Sequence, residues 1–417
     1  MADTPSTEPY KGVRDFYPAD WRRLAGVFKK VRGLLESYGY EEYNASPEER
    51  SELYESKGNE EIINEQTYTF TDRGDRRVTL RPEMTPTLAR MVSAKRRELP
   101  FPLRWYNIGN RFRYERPQRG RLREFFQTDI DLVGLPEGDA DIEIVSLASA
   151  ILKTFGAKET DFIIRINSRK LLAAASKAAG LDDESLRVYW QLLDKRSKMT
   201  PEAFEEARRS MPGDPLKIVE DGTEPAVAEE KRKLDALIDA LAAGGVGNAV
   251  YDPGIVRGFD YYTGVIFEVF DTDIKNPRAL FGGGRYDGLV ALFGGDPIPA
   301  VGFAFGDVTF IDFLETHGLL PGFAGAQADL YLGTPTADRT AAQDFARALR
   351  EQGVRVFVNL TDKSLSDQIK DAVKRGIPYF AAVGSEEAKS GMLKLKTLFT
   401  GAEESLPVDD VASRILS

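Results

Sequence analysis

Six arginines fall within the thirteen residues RFRYERPQRGRLR (111–123), and Glu115 is the one acid among them. Guanidinium forks pair in a bidentate way with phosphate and carboxylate oxygens, so such a cluster is chemistry for an anion. The chain as a whole carries the opposite sign, with 56 Lys and Arg against 66 Asp and Glu and a net charge of −10. A polyanion bound by this chain must therefore be met by local charge. The inventory narrows the chemistry further. There is no cysteine and a single histidine, His317, in a loop-like stretch. Disulfides, thiolate metal sites, cysteine nucleophiles, a Ser–His–Asp triad and a His-rich metal site are all excluded or nearly so. Catalysis is left to arginines, carboxylates, tyrosines, backbone groups and a metal carried in by a substrate.

The elements that position these groups follow from periodicity. Residues 103–116 and 121–134 read as two strands joined at PQRG, and side chains alternate faces along a strand. Leu122, Phe126, Ile130 and Leu132 then share a core face. Arg121, Arg123, Phe125, Gln127, Asp129 and Asp131 share the other, beside Arg111, Arg113 and Glu115 of the first strand. Arginines around a single aromatic ring suit a nucleoside triphosphate or an RNA end, and parity alone does not choose between them. No GxxxxGK[ST] occurs, and FGGGRYDG (281–288) lacks the third glycine of GxGxxG. ATP, if bound, sits on an antiparallel floor.

With 417 residues the chain has room for two or three domains. Apolar spacing predicts a helix over Trp21–Tyr38. A hairpin follows, with TYTFTD and RRVTLRP around RGD. Thr85 is placed to cap a helix that has Pro86 at its first position, which leaves Glu83 on the link before it. A helical period returns at Asp141–Phe155. Residues 168–245 are Ala-, Glu- and Lys-rich and read as a helical insertion. Strand character resumes at AVYDPGIVRGFDYYTGVIFEVF and VGFAFG. Beyond a Pro/Gly linker at 317–327, strands and helices alternate, which predicts a small α/β domain with a largely parallel sheet. No apolar run reaches the ~18–20 residues of a membrane span, and the N-terminus lacks a signal pattern, so a cytoplasmic protein is expected.

The arginine hairpin resembles motif 2 of the class II aminoacyl-tRNA synthetases. KGVRDFYP, LRPEMTPTLAR, RYERPQRGRLREFFQTDIDLVG, VRGFDYYTGVIFEV and GGGRYDGLV together resemble the histidyl-tRNA synthetase family, RGFDYYTG most specifically. YGYEEYNASPEERSELY is similar to that class's motif 1, which builds a dimer interface. The resemblance implies an α+β catalytic domain built on an antiparallel sheet (1–320), interrupted by the helical insertion (168–245). An α/β anticodon-binding domain would follow (327–417).

The implied activity is a histidine–tRNA ligase. A histidine carboxylate attacks the α-phosphate of ATP, carried with Mg²⁺, and the adenylate then acylates the 3′ end of tRNA(His). The resemblance also implies a homodimer. It places Arg113 and Arg257 as catalytic arginines on opposite faces of the α-phosphate. Glu115, Phe125 and Arg121 would hold the adenine edge, its ring face and the outer phosphates. Glu83, Met84, Thr85 and Gln127 would surround the amino acid, with Asp131, Tyr261 and Tyr262 around its imidazole and no metal bound by the protein itself. Arg116 and Gln118 would meet the tRNA acceptor end.

The chain departs from the family at motif 3, where a Glu–Arg pair normally opens a helix and the arginine grips ATP. Here AVGFAFGDVTFIDF has Val308 and Thr309 in those places, and Asp307 brings a carboxylate toward a polyanion site. Arg285 and Arg123 are the candidate substitutes. A non-catalytic paralogue is the alternative, either a histidine-sensing regulatory subunit of ATP phosphoribosyltransferase or an RNA-binding pseudosynthetase.

Overall fold

The computed structural model describes residues 6–55, 66–196, 199–256, 261–321, 326–335 and 339–416. The chain divides into two compact units, one formed by residues 1–15 and 27–321, the other by 16–26 and 322–417. The first is organised on an eight-stranded sheet. Its central strands are Leu103–Phe112, Glu124–Val133, Ala300–Gly306, Ala279–Arg285, Val265–Asp271 and Phe162–Ser168, in that spatial order and antiparallel throughout. The short strands Glu41–Glu42 and Ala249–Tyr251 add parallel edges. The alternation of EFFQTDIDLV buries Ile130 and Leu132 on the side covered by the helix Asp139–Thr154, whose Ile144, Leu147, Ala148 and Ile151 are fully buried. Phe281, Phe305 and Phe310 continue this core, with the first two rings stacked 4.4 Å apart.

Glycines keep the opposite side hollow. A methyl on Gly302 would collide with the Asp131 carboxylate across the strand pair, and one on Gly284, opposite Gly302, would strike the Val265 carbonyl and the Tyr262 ring. Close approach of backbones, rather than an unusual φ, requires glycine there.

Several boundaries differ from those read in the sequence. The first helix spans Pro18–Ser37, and the two hairpin strands stop at Phe112 and begin again at Glu124. Between them the ladder turns irregular: Arg113 N–H still donates to Arg123 O (2.9 Å), but Arg123 N–H donates to Gly12 O (2.7 Å) and Tyr114 N–H to Gln66 O (2.6 Å). Thr85 is the first residue of its helix, not the cap. Met84 precedes it without a side-chain cap bond, and the proline supplies the stiff start.

Between Ser168 and Ala249 the chain runs through the helices Arg169–Ala178, Asp183–Lys195, Pro201–Arg209, Pro215–Asp221 and Pro225–Ala243. Side-chain oxygens of Ser168, Asp182, Thr200 and Asp214 accept from backbone N–H groups at the starts of the first four. Leu172, Tyr189, Leu193, Phe204 and Leu216 form their shared core.

The second unit holds a five-stranded sheet. Leu330–Gly333 lies between parallel neighbours Val356–Val358 and Tyr379–Ala382, and Met392–Thr397 and Glu403–Pro407 extend it antiparallel. The sheet is thus mixed where the sequence pattern suggested a largely parallel one, because LKLKTLFTGAEESLP folds as a terminal hairpin. Among the described residues no helix is long and apolar enough to cross a membrane.

Candidate active site

The hollow side of the large sheet opens into a cavity of about 1310 Å³. Glu124–Val133 contributes its odd positions, so Phe125, Gln127 and Asp131 all face it. Arg113, Glu115 and Arg121 come from the irregular hairpin, and Glu83 and Thr85 from the link and first turn of the Thr85–Lys95 helix. Tyr261 and Tyr262 precede the Val265–Asp271 strand and complete the wall. Residues spread over 180 positions of sequence converge here. Arg257 lies outside the described residues.

At one end the cavity is acidic and aromatic. Tyr261 donates to Glu83 Oε2 (2.9 Å), and its ring lies 5.0 Å from Tyr262 and 6.0 Å from Tyr286. Burial, with the Glu83 charge adding to it, holds the Tyr261 hydroxyl well above the usual phenol range. Asp131 is buried, accepts from the Tyr286 hydroxyl, and has its other oxygen unpaired among the described residues. Burial lifts its pKa to about 8, against the pull of the Tyr286 hydrogen bond. A buried acid whose pKa is raised and whose second oxygen is unpaired among the described residues can donate to or accept from a polar group entering the cavity.

The floor and far end are basic. Arg113 donates from Nε to Pro82 O (2.9 Å), and its guanidinium sits 5.3 Å from the centre of the Phe125 ring. Burial lowers its pKa, opposed by the charge of Glu83. Arg121 forms a 3.1 Å ion pair with Glu115. On the floor Gln127 donates to Asp129 (2.7 Å), which also lines the cavity and accepts from Arg111 behind it (2.6 Å), itself bonded to Asn107 (2.8 Å). Arg111 is fully buried. It therefore braces the floor and does not line it, as strand parity had suggested.

Other expectations resolve differently. Met84 is buried behind the wall, where its sulfur accepts from Arg81 (3.8 Å). Arg116 and Gln118 are exposed on the hairpin, outside the cavity lining, which agrees with their expected place at its tip. Asp307 does not turn its charge on the cavity. It is buried, accepts from the Phe126 N–H (3.0 Å) and pairs with Arg14 (2.6 Å), so its negative charge is met from behind.

Neither candidate substitute arginine is available. Arg285 is fully buried, clamped by Asp141 (3.0 Å), Asp287 (3.1 Å) and the carbonyls of Leu135 and Pro136. Arg123 lies over the Tyr114 ring (4.0 Å) and bonds to Tyr10 and to Glu115 O. Tyr286 and Arg278 are among the cavity residues that escaped the sequence reading. Tyr286 stood within GGGRYDG, and only its packing reveals its bond to Asp131. Arg278 carried no motif signal at all.

The comparisons agree with this architecture. The family model described as histidyl-tRNA synthetase matches residues 12–308, and that of the anticodon binding domain matches residues 331–417. The histidine–tRNA ligase of Leptospira biflexa is 38% identical, with 94% of this chain and 93% of the relative covered. That of Thermococcus kodakarensis is 35% identical over 98% of both. Among solved structures, histidyl-tRNA synthetase from Nostoc sp. PCC 7120 superposes with a TM-score of 0.79 at 23% identity, covering 99% of each chain. An ATP phosphoribosyltransferase regulatory subunit/histidyl-tRNA synthetase from Bacillus halodurans C gives 0.75 at 21%, covering 92% of this chain and 100% of its own, a likeness of fold.

Proposed function

The chain belongs to the histidyl-tRNA synthetase family, and from that premise we propose that it is a histidine–tRNA ligase. It activates histidine with ATP and transfers the histidyl group to the 3′ end of tRNA(His). The observation that carries this reading is 35% and 38% identity, over nearly the full length, to named histidine–tRNA ligases, through both the catalytic and anticodon-binding segments. A cavity with acids at one end and arginines at the other supports it. The non-catalytic readings have no comparable support, since the likeness to a regulatory subunit is one of fold.

In the proposed reaction the histidine carboxylate attacks the α-phosphorus of Mg²⁺-bound ATP. An oxygen–phosphorus bond forms, and the bond to pyrophosphate breaks. The nucleophile belongs to the substrate, so the protein's task is to align two anions and neutralise the developing charge. Glu83, with Tyr261 bonded to it, Thr85 and Gln127 receive the ammonium end of histidine. Asp131 and Tyr262 receive the imidazole. Phe125 offers its ring and Glu115 its carboxylate to adenine, while Arg113 meets the α-phosphate and Arg121 the outer phosphates. Arg257, outside the described residues, is the counterpart of Arg113 by its place in RGFDYYTG. Arg116 and Gln118 meet the acceptor end of tRNA, and the stretch similar to motif 1 builds a homodimer. The work is cytoplasmic, where tRNA is charged.

The test is histidine-dependent exchange of labelled pyrophosphate into ATP by the purified protein. Exchange that requires histidine and no other amino acid is expected. Its absence at saturating ATP and Mg²⁺ would sink the ligase reading.

A further inference from the structure

We propose that Arg278 is an ATP-binding arginine that grips the outer phosphates from the place where Thr309 leaves a guanidinium missing. The proposal rests on the ligase reading for the identity of the nucleotide, and on geometry for the site.

Arg278 lines the cavity with Arg113, Arg121 and Thr309. Gly120, at φ +76°, brings the hairpin against it. A methyl on Gly120 would lie 2.9 Å from Cδ of Arg278 and 3.4 Å from Cγ2 of Thr309, so both side chains flank one point. An arginine stem thus crosses the spot beside which a threonine ends short.

The guanidinium is also unspent. It is half-buried, and it makes no hydrogen bond or ion pair among the described residues. Arg285 and Arg123, by contrast, are fully engaged elsewhere. Burial and the like charge of Arg121 disfavour its charged form, and Glu115 alone opposes them. Glu115 is already the partner of Arg121 at 3.1 Å. The half-buried Arg278 guanidinium thus has as its nearby counter-charge a carboxylate already taken by Arg121, and the positive charge left over is one that a polyphosphate in the cavity neutralises through bidentate bonds.

The loop that carries Arg278 is fixed rather than free. Asn276, buried, donates to Asp271 (2.7 Å) and Thr316 (3.0 Å) and accepts from Arg119 of the hairpin (3.0 Å). Asp271 is bonded in turn to His317 (2.8 Å). The hairpin tip and the Arg278 loop are therefore tied together, and the two phosphate-facing arginines are held as a pair.

The experiment compares Mg²⁺–ATP with AMP, which lacks the outer phosphates, by calorimetric binding to the full-length protein. Arg278→Ala is expected to weaken ATP at least tenfold while AMP stays within twofold and the melting temperature is unchanged. Arg278→Lys, which keeps charge without the fork, falls between. Arg278→Ala combined with Thr309→Arg recovers most of the ATP affinity, which a merely structural role for Arg278 would not produce. ATP binding within twofold of wild type in Arg278→Ala, an equal loss of ATP and AMP, or a double variant no better than the single one overturns the proposal. Wild-type protein that prefers ATP over AMP through Arg278 yet shows no pyrophosphate exchange would uphold this site and defeat the ligase reading instead.

Discussion

Asp131 concentrates the electrostatics of the acidic end in one carboxyl. Its folded pKa is raised to about 8, chiefly by burial. The folded protein therefore keeps a proton that the unfolded chain releases near an ordinary carboxylate value. This group's contribution to stability falls as pH rises between ~4 and 8 and is level above that. The same proton matters for substrate if Asp131 faces the imidazole as proposed. A protonated Asp131 donates to the bare ring nitrogen, whereas an ionised Asp131 can only accept from the ring N–H, so ionisation reverses the hydrogen bond and forces the other tautomer or ring orientation. The KM for histidine in pyrophosphate exchange is accordingly expected to rise several-fold from about pH 8 and then level off, while the KM for ATP stays flat there. Asp131→Asn should remove the inflection and Asp131→Glu should keep one. A histidine KM that is level from pH 7 to 9.5 in the wild type would show that Asp131 does not carry that proton.

At the scale of elements, the sequence was legible wherever the pattern is local. Alternation along Glu124–Val133 put Phe125, Gln127 and Asp131 on one face before any contact was known, because a strand's period is a property of its own backbone. The reading failed where distant segments intervene. Parity could not see that Arg123 is drawn away by Tyr10 and Tyr114, or that Arg111 sinks into the Asp129 network. It read Asp307 as a charge facing the anion because the answering arginine, Arg14, is 293 residues away. That pair also ties the N-terminal KGVRDFYP segment to the first turn of the Asp307–Thr316 helix. Asp307→Ala removes the acceptor of the part-buried Phe126 N–H and the ion-pair partner at 2.6 Å from Arg14. Arg14 is partly exposed, which tempers the loss, and a cost of about 2–3 kcal/mol is expected. Urea unfolding measures it, and ATP affinity should change little. Unchanged stability, or a marked gain in ATP affinity, would restore the view that Asp307 presents its charge to the cavity.

At the scale of the molecule, the question is how a chain of net charge −10 binds a nucleic acid. The long-range field repels tRNA, so attraction must come from a few exposed cations at the contact, and each one counts separately. Arg116 stands exposed at the hairpin tip, and Gln118 is exposed close by in sequence. If the acceptor end passes there, Arg116 neutralises a phosphate and displaces its counterion, while Gln118 adds hydrogen bonds without charge. Counterion release makes the logarithm of tRNA affinity fall linearly with the logarithm of salt concentration, by about 0.7 per phosphate contact for a single-stranded end. Arg116→Ala should weaken tRNA binding and make the salt slope shallower by roughly that amount. Gln118→Ala should weaken binding with the slope intact, and neither should alter pyrophosphate exchange, which needs no tRNA. Titrations of tRNA(His) at several salt concentrations separate the two. A slope that Arg116→Ala leaves unchanged would mean that the tip arginine meets no phosphate, and that the polyanion enters over another part of the surface.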